Sequence, residues 1–198
     1  MKTLAVYCGA AHGAHPLYAD AARGLARALV AHNIDLVYGG GKVGLMGVIA
    51  DEVLRLGGEV TGVIPRALVE REVGHAGLTR LFVVKDMHER KAMMSDLAEG
   101  FIAMPGGMGT LEELFEMVTW AQLGIHAKPI GLYNVNGFYD GLRAFVRHQC
   151  VEGFVRPEHE ALMLAEADPD ALVARLRAAA PVVSSTALPP AAADELKG

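Results

Sequence analysis

Pro105-Gly106-Gly107-Met108-Gly109-Thr110-Leu111-Glu112-Glu113 is the stretch from which the fold can be read. Before it stands Phe101-Ile102-Ala103-Met104, a short apolar run of the kind a buried strand needs. After it, Leu111, Leu114, Phe115 and Val118 recur at helical spacing. The stretch is therefore a glycine-rich turn from a strand into a helix. Such a turn collects free backbone N–H groups and the positive end of a helix at one point, where a phosphate can sit. Three glycines let the backbone approach that anion without a Cβ in the way. Glu113 then falls on what this reading makes the first helical turn. A phosphate cradle beside a carboxylate points to a phosphorylated substrate and to acid–base or charge-stabilising chemistry. The spacing has a second reading, because Thr110-x-x-Glu113 is also a capping box. That reading leaves the three glycines without a reason.

The same alternation extends in both directions from this turn. Strands are expected at 4–8, 35–38, 59–64, 81–84, 101–104, 129–133 and 162–164. Helices are expected at 17–31, 48–56, 87–98, 111–123, 138–150 and 169–178. Asp86 caps the helix from Met87, with Glu89 three residues on. Strands alternating with helices imply a parallel sheet of about seven strands with helices on both faces, a doubly wound α/β fold. Ligands then bind at the carboxyl ends of the strands, and both glycine-rich turns of the chain lie there. A chain of 198 residues suits one domain. It is expected over residues 1–179, followed by an Ala-, Pro- and Ser-rich tail over 180–198 that reads as disordered.

Bulk properties exclude several classes. The net charge of −5 gives no nucleic-acid footprint. No run approaches transmembrane length, and the start of the chain leads straight into a strand too short for a signal-peptide core. Cys8 and Cys150 lie far apart, and Cys8 ends a buried strand. This argues against a structural disulfide and for a reducing cytoplasm. The eight histidines show no metal-ligand pattern, so no metal is expected.

The second glycine-rich turn, Gly39-x-Gly41-x-x-Gly44, matches the dinucleotide fingerprint in letters only. It follows the second strand rather than the first, and the next strand ends at Ile64-Pro65-Arg66 without the acidic residue that holds a ribose. A nucleotide phosphate at Gly41 and Gly44, or a tight strand–helix junction, fits better than a nicotinamide cofactor. Arg90 shares a helical stripe with Met87, Met94 and Leu97, so a cation sits on an apolar face with Lys91 beside it. Either it snorkels to a nearby surface, or it is held in a cleft to meet a phosphate or carboxylate. Glu113, Glu116 and Trp120 share another face. The tryptophan there could stack a base or pack in the core.

Four segments together carry a family resemblance. They are Gly39–Gly47, Met87–Met94, Pro105–Glu113 and Thr119–His126. The paired signature Arg90-Lys91-x-x-Met94 and Pro105-Gly106-Gly107-x-Gly109-Thr110-x-x-Glu113 resembles the LOG ("Lonely guy") family of cytokinin riboside 5′-monophosphate phosphoribohydrolases, often mislabelled lysine decarboxylases. The resemblance runs from about Leu4 to Leu164. It implies a Rossmann-like homodimer with its site near the subunit interface. It also implies hydrolysis of a purine nucleoside 5′-monophosphate to free base and ribose 5-phosphate, with no cofactor. By the same match Arg90 and Glu113 are the catalytic pair. Lys91, Gly106, Gly107, Met108, Gly109, Thr110, Leu111, Glu112 and Thr119 bind substrate, and Glu72 is a looser match for a further binding carboxylate. Cys8-Gly9-Ala10-Ala11 departs from the family in having no hydroxyl where many members carry Ser. The alternative is a non-catalytic nucleotide or cofactor carrier on the same fold, which would keep the glycines and could dispense with Glu113. A lysine decarboxylase would need pyridoxal phosphate on a Schiff-base lysine, and only Lys42 and Lys91 are placed near the motifs.

Overall fold

The computed structural model describes residues 1–69 and 74–179. Its centre is one seven-stranded sheet, every strand parallel to its neighbours. The strands are β1 (Thr3–Tyr7), β2 (Asp35–Tyr38), β3 (Val60–Pro65), β4 (Arg80–Val84), β5 (Phe101–Ala103), β6 (Ile130–Tyr133) and β7 (Met163–Glu166). Their order across the sheet is β4-β3-β2-β1-β5-β6-β7. The chain winds outward from β1 to one edge, returns to β5 and winds to the other. The reversal leaves a crevice between the carboxyl ends of β1 and β5, the place where open α/β sheets bind ligands.

The helices are α1 (Leu17–Ala31), α2 (Gly44–Arg55), α3 (Arg66–Val69), α4 (Met87–Leu97), α5 (Met108–Gln122), α6 (Asp140–Val151), α7 (Pro157–Glu160) and α8 (Pro169–Ala178). One apolar layer packs α1, α2 and α8 on the sheet through Leu25, Leu29, Ile49, Val53, Leu172 and Leu176. The layer on the opposite face takes Met94 of α4, Leu114 and Met117 of α5 and Val146 of α6. Both faces of the sheet are thus covered, as its run of apolar strands requires. Trp120 packs against this second layer, which is the core reading of that residue.

The bounds of α1 and α8 agree with the sequence reading, and most strands agree to within a residue or two. The helices after the glycine-rich turns begin earlier than expected. Gly44–Gly47 is already helix, and α5 begins at Met108 rather than Leu111. Two four-residue helices, α3 and α7, had no clear signal in the sequence. At the amino end of β3 the connection is short: Gly57, at φ +83°, turns the chain from α2 into the strand. Glu72 and the tail from residue 180 lie outside the described residues. Among the described residues no helix is long and apolar enough to cross a membrane.

Candidate active site

The site is built at Gly9, the second residue after β1. Its N–H donates to Pro105 O at 3.1 Å and its carbonyl accepts from Leu45 N–H at 3.0 Å, tying it to both glycine-rich turns. The first turn is a packing device. Gly44 sits at φ +59°, and a Cβ there would lie 2.3 Å from the Ala10 carbonyl carbon. Gly41 pairs with Gly74 in an isolated bridge, and Gly40 O accepts from His75 N–H at 3.0 Å. Among the described residues, Gly41 and Gly44 line neither of the two cavities at this rim, and the close approach of Gly44 to Ala10 is what the tight-junction reading of this turn requires.

The second turn divides its glycines between two jobs. A Cβ on Gly106 would meet Thr110 Oγ1 at 2.1 Å and Gly9 N at 2.8 Å, so internal packing demands this glycine. Gly107 and Gly109 have open space where a Cβ would stand. Gly107 is also the N-cap of α5, with ordinary extended backbone and no side-chain cap bond. The capping-box reading therefore falls. Thr110 is the third residue of the helix, not its cap, and Glu113 lies in the second turn rather than the first. Thr110 and Glu113 are both buried.

Glu113 and Arg90 come together from α5 and α4. Both line a cavity of about 260 Å³ whose walls include Cys8, Met46, Leu68, Met87, Gly107 and Gly109. Arg90 is only 5% exposed, so it does not snorkel to the surface. Its Nη2 donates to Gly39 O at 3.1 Å, while Nε is buried with no partner among the described residues. Burial raises the Tyr7 and Cys8 pKa values well above their ordinary ranges; in both, the Glu113 charge pushes the same way and Arg90 opposes. A second, largely apolar cavity of about 400 Å³ shares Ala10 and Gly107 with the first and is walled by Leu45, Tyr18 and Phe138. His12 also lines it.

Other candidates are placed differently. Lys91 is buried, but its Nζ is engaged by Glu112 and, at 3.1 Å, by Glu116 Oε2. Burial opposes its charge, yet the two carboxylates outweigh that and leave its pKa raised. Leu111 packs against the apolar layer, so only its backbone is available to a ligand, whereas the Met108 side chain is exposed. Thr119 lies twelve residues beyond Gly107, roughly 18 Å along the helix. Its hydroxyl donates to Phe115 O at 2.7 Å. The sequence reading missed Cys8, Met46 and Leu68. Cys8 could have been found from its place just beyond β1; the other two come from helices that only the folded chain brings over the crevice.

The chain matches the model of the family described as "Possible lysine decarboxylase" over residues 46–176. It is 47% identical over 180 residues to a rice (Oryza sativa subsp. japonica) protein named "Probable cytokinin riboside 5'-monophosphate phosphoribohydrolase LOGL2", covering 91% of this chain and 74% of the relative. Against cytokinin riboside 5'-monophosphate phosphoribohydrolase LOG7 of Arabidopsis thaliana it is 47% identical over 175 residues, 88% of this chain and 81% of the relative. The chain belongs to the LOG family. Solved structures share its fold at lower identity. The molybdenum cofactor carrier protein of Chlamydomonas reinhardtii superposes with a TM-score of 0.66 at 18% identity, covering 89% of this chain and 98% of that one. A molybdenum cofactor binding protein from Rippkaea orientalis does so at 0.66 and 17%, covering 88% and 94%. The family's decarboxylase description finds no support in the site. Lys42 is exposed, Lys91 is held between two carboxylates, and no lysine among the described residues lines either cavity.

Proposed function

We propose that this LOG-family protein hydrolyses the N-glycosidic bond of a purine nucleoside 5′-monophosphate, cytokinin-type or AMP, releasing free base and ribose 5-phosphate. The observation that carries the reading is the meeting of Arg90, Glu113 and the open Gly107 and Gly109 in one cavity. The activity for which relatives at 47% identity are named supports it.

The free N–H groups at the start of α5 take the phosphate, where the helix dipole favours an anion. Gly107 and Gly109 leave room for that approach. Arg90, on the cavity wall, supplies its charge to the substrate's oxygens, fixing the sugar beside Glu113. The C1′–N bond breaks with its electron pair going to the base, and positive charge develops on the ribose ring. Glu113 stabilises that charge and orients the attacking water. The water oxygen bonds to C1′, and its proton is released as the base is protonated. No metal or organic cofactor enters these steps.

The active form is a homodimer in the cytoplasm. Exposed Leu123, Ile125, Phe145 and Phe154 offer apolar surface for a second copy. Met93 is partly exposed, whereas Met94 is fully buried within the chain. Thr119, exposed on α5, is a further substrate contact on the strength of the family resemblance. Chromatography after incubation with AMP and with a prenylated AMP tests the activity; free base must appear from the nucleotide and little from the matching nucleoside. Equal turnover of both would refute the phosphate cradle. Tight binding without cleavage would instead favour a carrier. Light scattering tests the assembly, and a fully active monomer at micromolar concentration would refute it.

A further inference from the structure

Four charged residues of the signature belong to two adjacent sequence pairs, Arg90-Lys91 on α4 and Glu112-Glu113 on α5. They sort by job in space. Arg90 and Glu113 line the cavity. Lys91 does not; it is 4% exposed, and its ammonium lies between Glu112 and Glu116. Those two carboxylates are one helical turn apart and so share a face of α5. Glu113 is offset from that face by one residue, about 100° around the axis.

The start of α5 needs outside support. Gly107 caps it with no side-chain bond, and Gly109 stands in its first turn. A glycine within a helix costs about 1 kcal/mol relative to alanine. The same openness that admits a phosphate therefore leaves the turn before Glu113 weakly determined by its own sequence. Lys91 reaches α5 just beyond that weak turn, from the residue next to Arg90, and grips it at two successive turns. Burial raises the Tyr7 hydroxyl pKa, with Glu113 and Glu116 adding to that effect and Arg90 opposing it.

We propose that Lys91 is a positioning residue: by clamping Glu112 and Glu116 it fixes the rotation of α5 and so sets Glu113 opposite Arg90, without touching substrate. The inference rests on the catalytic reading of Arg90 and Glu113. It replaces the substrate-binding role expected for Lys91 and Glu112 with a structural link that acts on rate.

The test is a cycle of variants with two readouts. Lys91→Met should lower kcat by roughly tenfold to a hundredfold, the scale of a small misplacement of a reacting group, and leave KM within about twofold. Glu112→Gln with Glu116→Gln should reproduce the loss, and adding Lys91→Met to that pair should cost little more, since coupled residues are not additive. Amide hydrogen exchange at Gly109–Glu113 should quicken in Lys91→Met while the rest of the sheet keeps its protection. This second readout needs no activity, so it separates failure of the clamp from failure of the proposed reaction. Unchanged exchange in that turn would overturn the clamp. So would a KM raised at constant kcat, the mark of a direct substrate contact, or full additivity across the cycle.

Discussion

Arg90 Nη2 donates to Gly39 O at 3.1 Å, and a Cβ on residue 39 would lie 1.8 Å from that same nitrogen. The first glycine of a dinucleotide-like fingerprint is therefore explained by an arginine fifty-one residues away. Gly39→Ala should push the guanidinium out of place. The melting temperature is expected to fall by roughly 3–10 °C, the cost of overpacking one site in a domain of this size. KM for a purine monophosphate should rise by about tenfold. In an Arg90→Ala background the same substitution should cost far less, because its steric partner is gone. Additive losses in calorimetry and kinetics would break the link between the two residues.

Glu113 has no cap to lose, since Gly107 holds that position. Glu113→Gln keeps size and removes charge. Turnover should drop by roughly a hundredfold or more, the scale of one lost general-base or electrostatic contact. The melting temperature should move by only a few degrees. Glu112→Gln, one residue away, still leaves Glu116 on Lys91 and should cost less than about tenfold. Steady-state kinetics on AMP and on a prenylated AMP decide it; near-normal turnover in Glu113→Gln would end the mechanism.

Gly109 faces open space and is not in a left-handed conformation. Alanine is the better helix former by about 1 kcal/mol. Gly109→Ala should therefore hold or raise the melting temperature by roughly 2–4 °C. It should also raise KM about tenfold, because the new methyl occupies the phosphate's approach. A variant both more stable and unimpaired in KM would show that the space serves no ligand.

His126 links the end of α5 to β6. Its Nε2–H donates to Met117 O at 3.0 Å and its Nδ1 accepts from Lys128 N–H at 3.1 Å, so the ring is neutral. Burial lowers its pKa below the ordinary 6.5, the Met117 bond opposes this, and the Lys128 charge adds to the lowering. Just below pH 6.5 the unfolded chain takes up a proton that the folded protein refuses. Stability present above that pH is thus lost as the pH falls through it. Urea midpoints between pH 7.5 and 5 should fall more steeply for the parent than for His126→Gln. Parallel curves would refute the assignment.

The layered fold was legible because apolar runs and helical periodicity are local. α1 and α8 were bounded correctly by clear signals, such as Pro169 at the start of α8 with Asp168 accepting from Ala171 N–H. The starts of α2 and α5 were misplaced for the opposite reason. Gly44, Gly47 and Gly109 lower helix propensity, and only tertiary contacts keep those turns helical. For the site, Arg90 and Glu113 were legible as a pair of motifs. What Lys91 touches was not, because it depends on how α4 docks beside α5. Nor did the spacing of the glycines say which serve packing and which leave room; that is set by Thr110, Ala10 and Arg90 in space.

All seven strands run the same way, so the molecule has a working rim and an idle one. The crevice, both glycine-rich turns and the charged pair lie at the carboxyl ends. The α2–β3 turn lies at the other end of the sheet, where Gly57 is exposed with nothing near its missing side chain. Exposed loop tips of this kind tolerate added chain. That makes residue 57 a splice point, where an affinity tag or a fluorescent domain can be carried without entering the chemistry at the opposite rim.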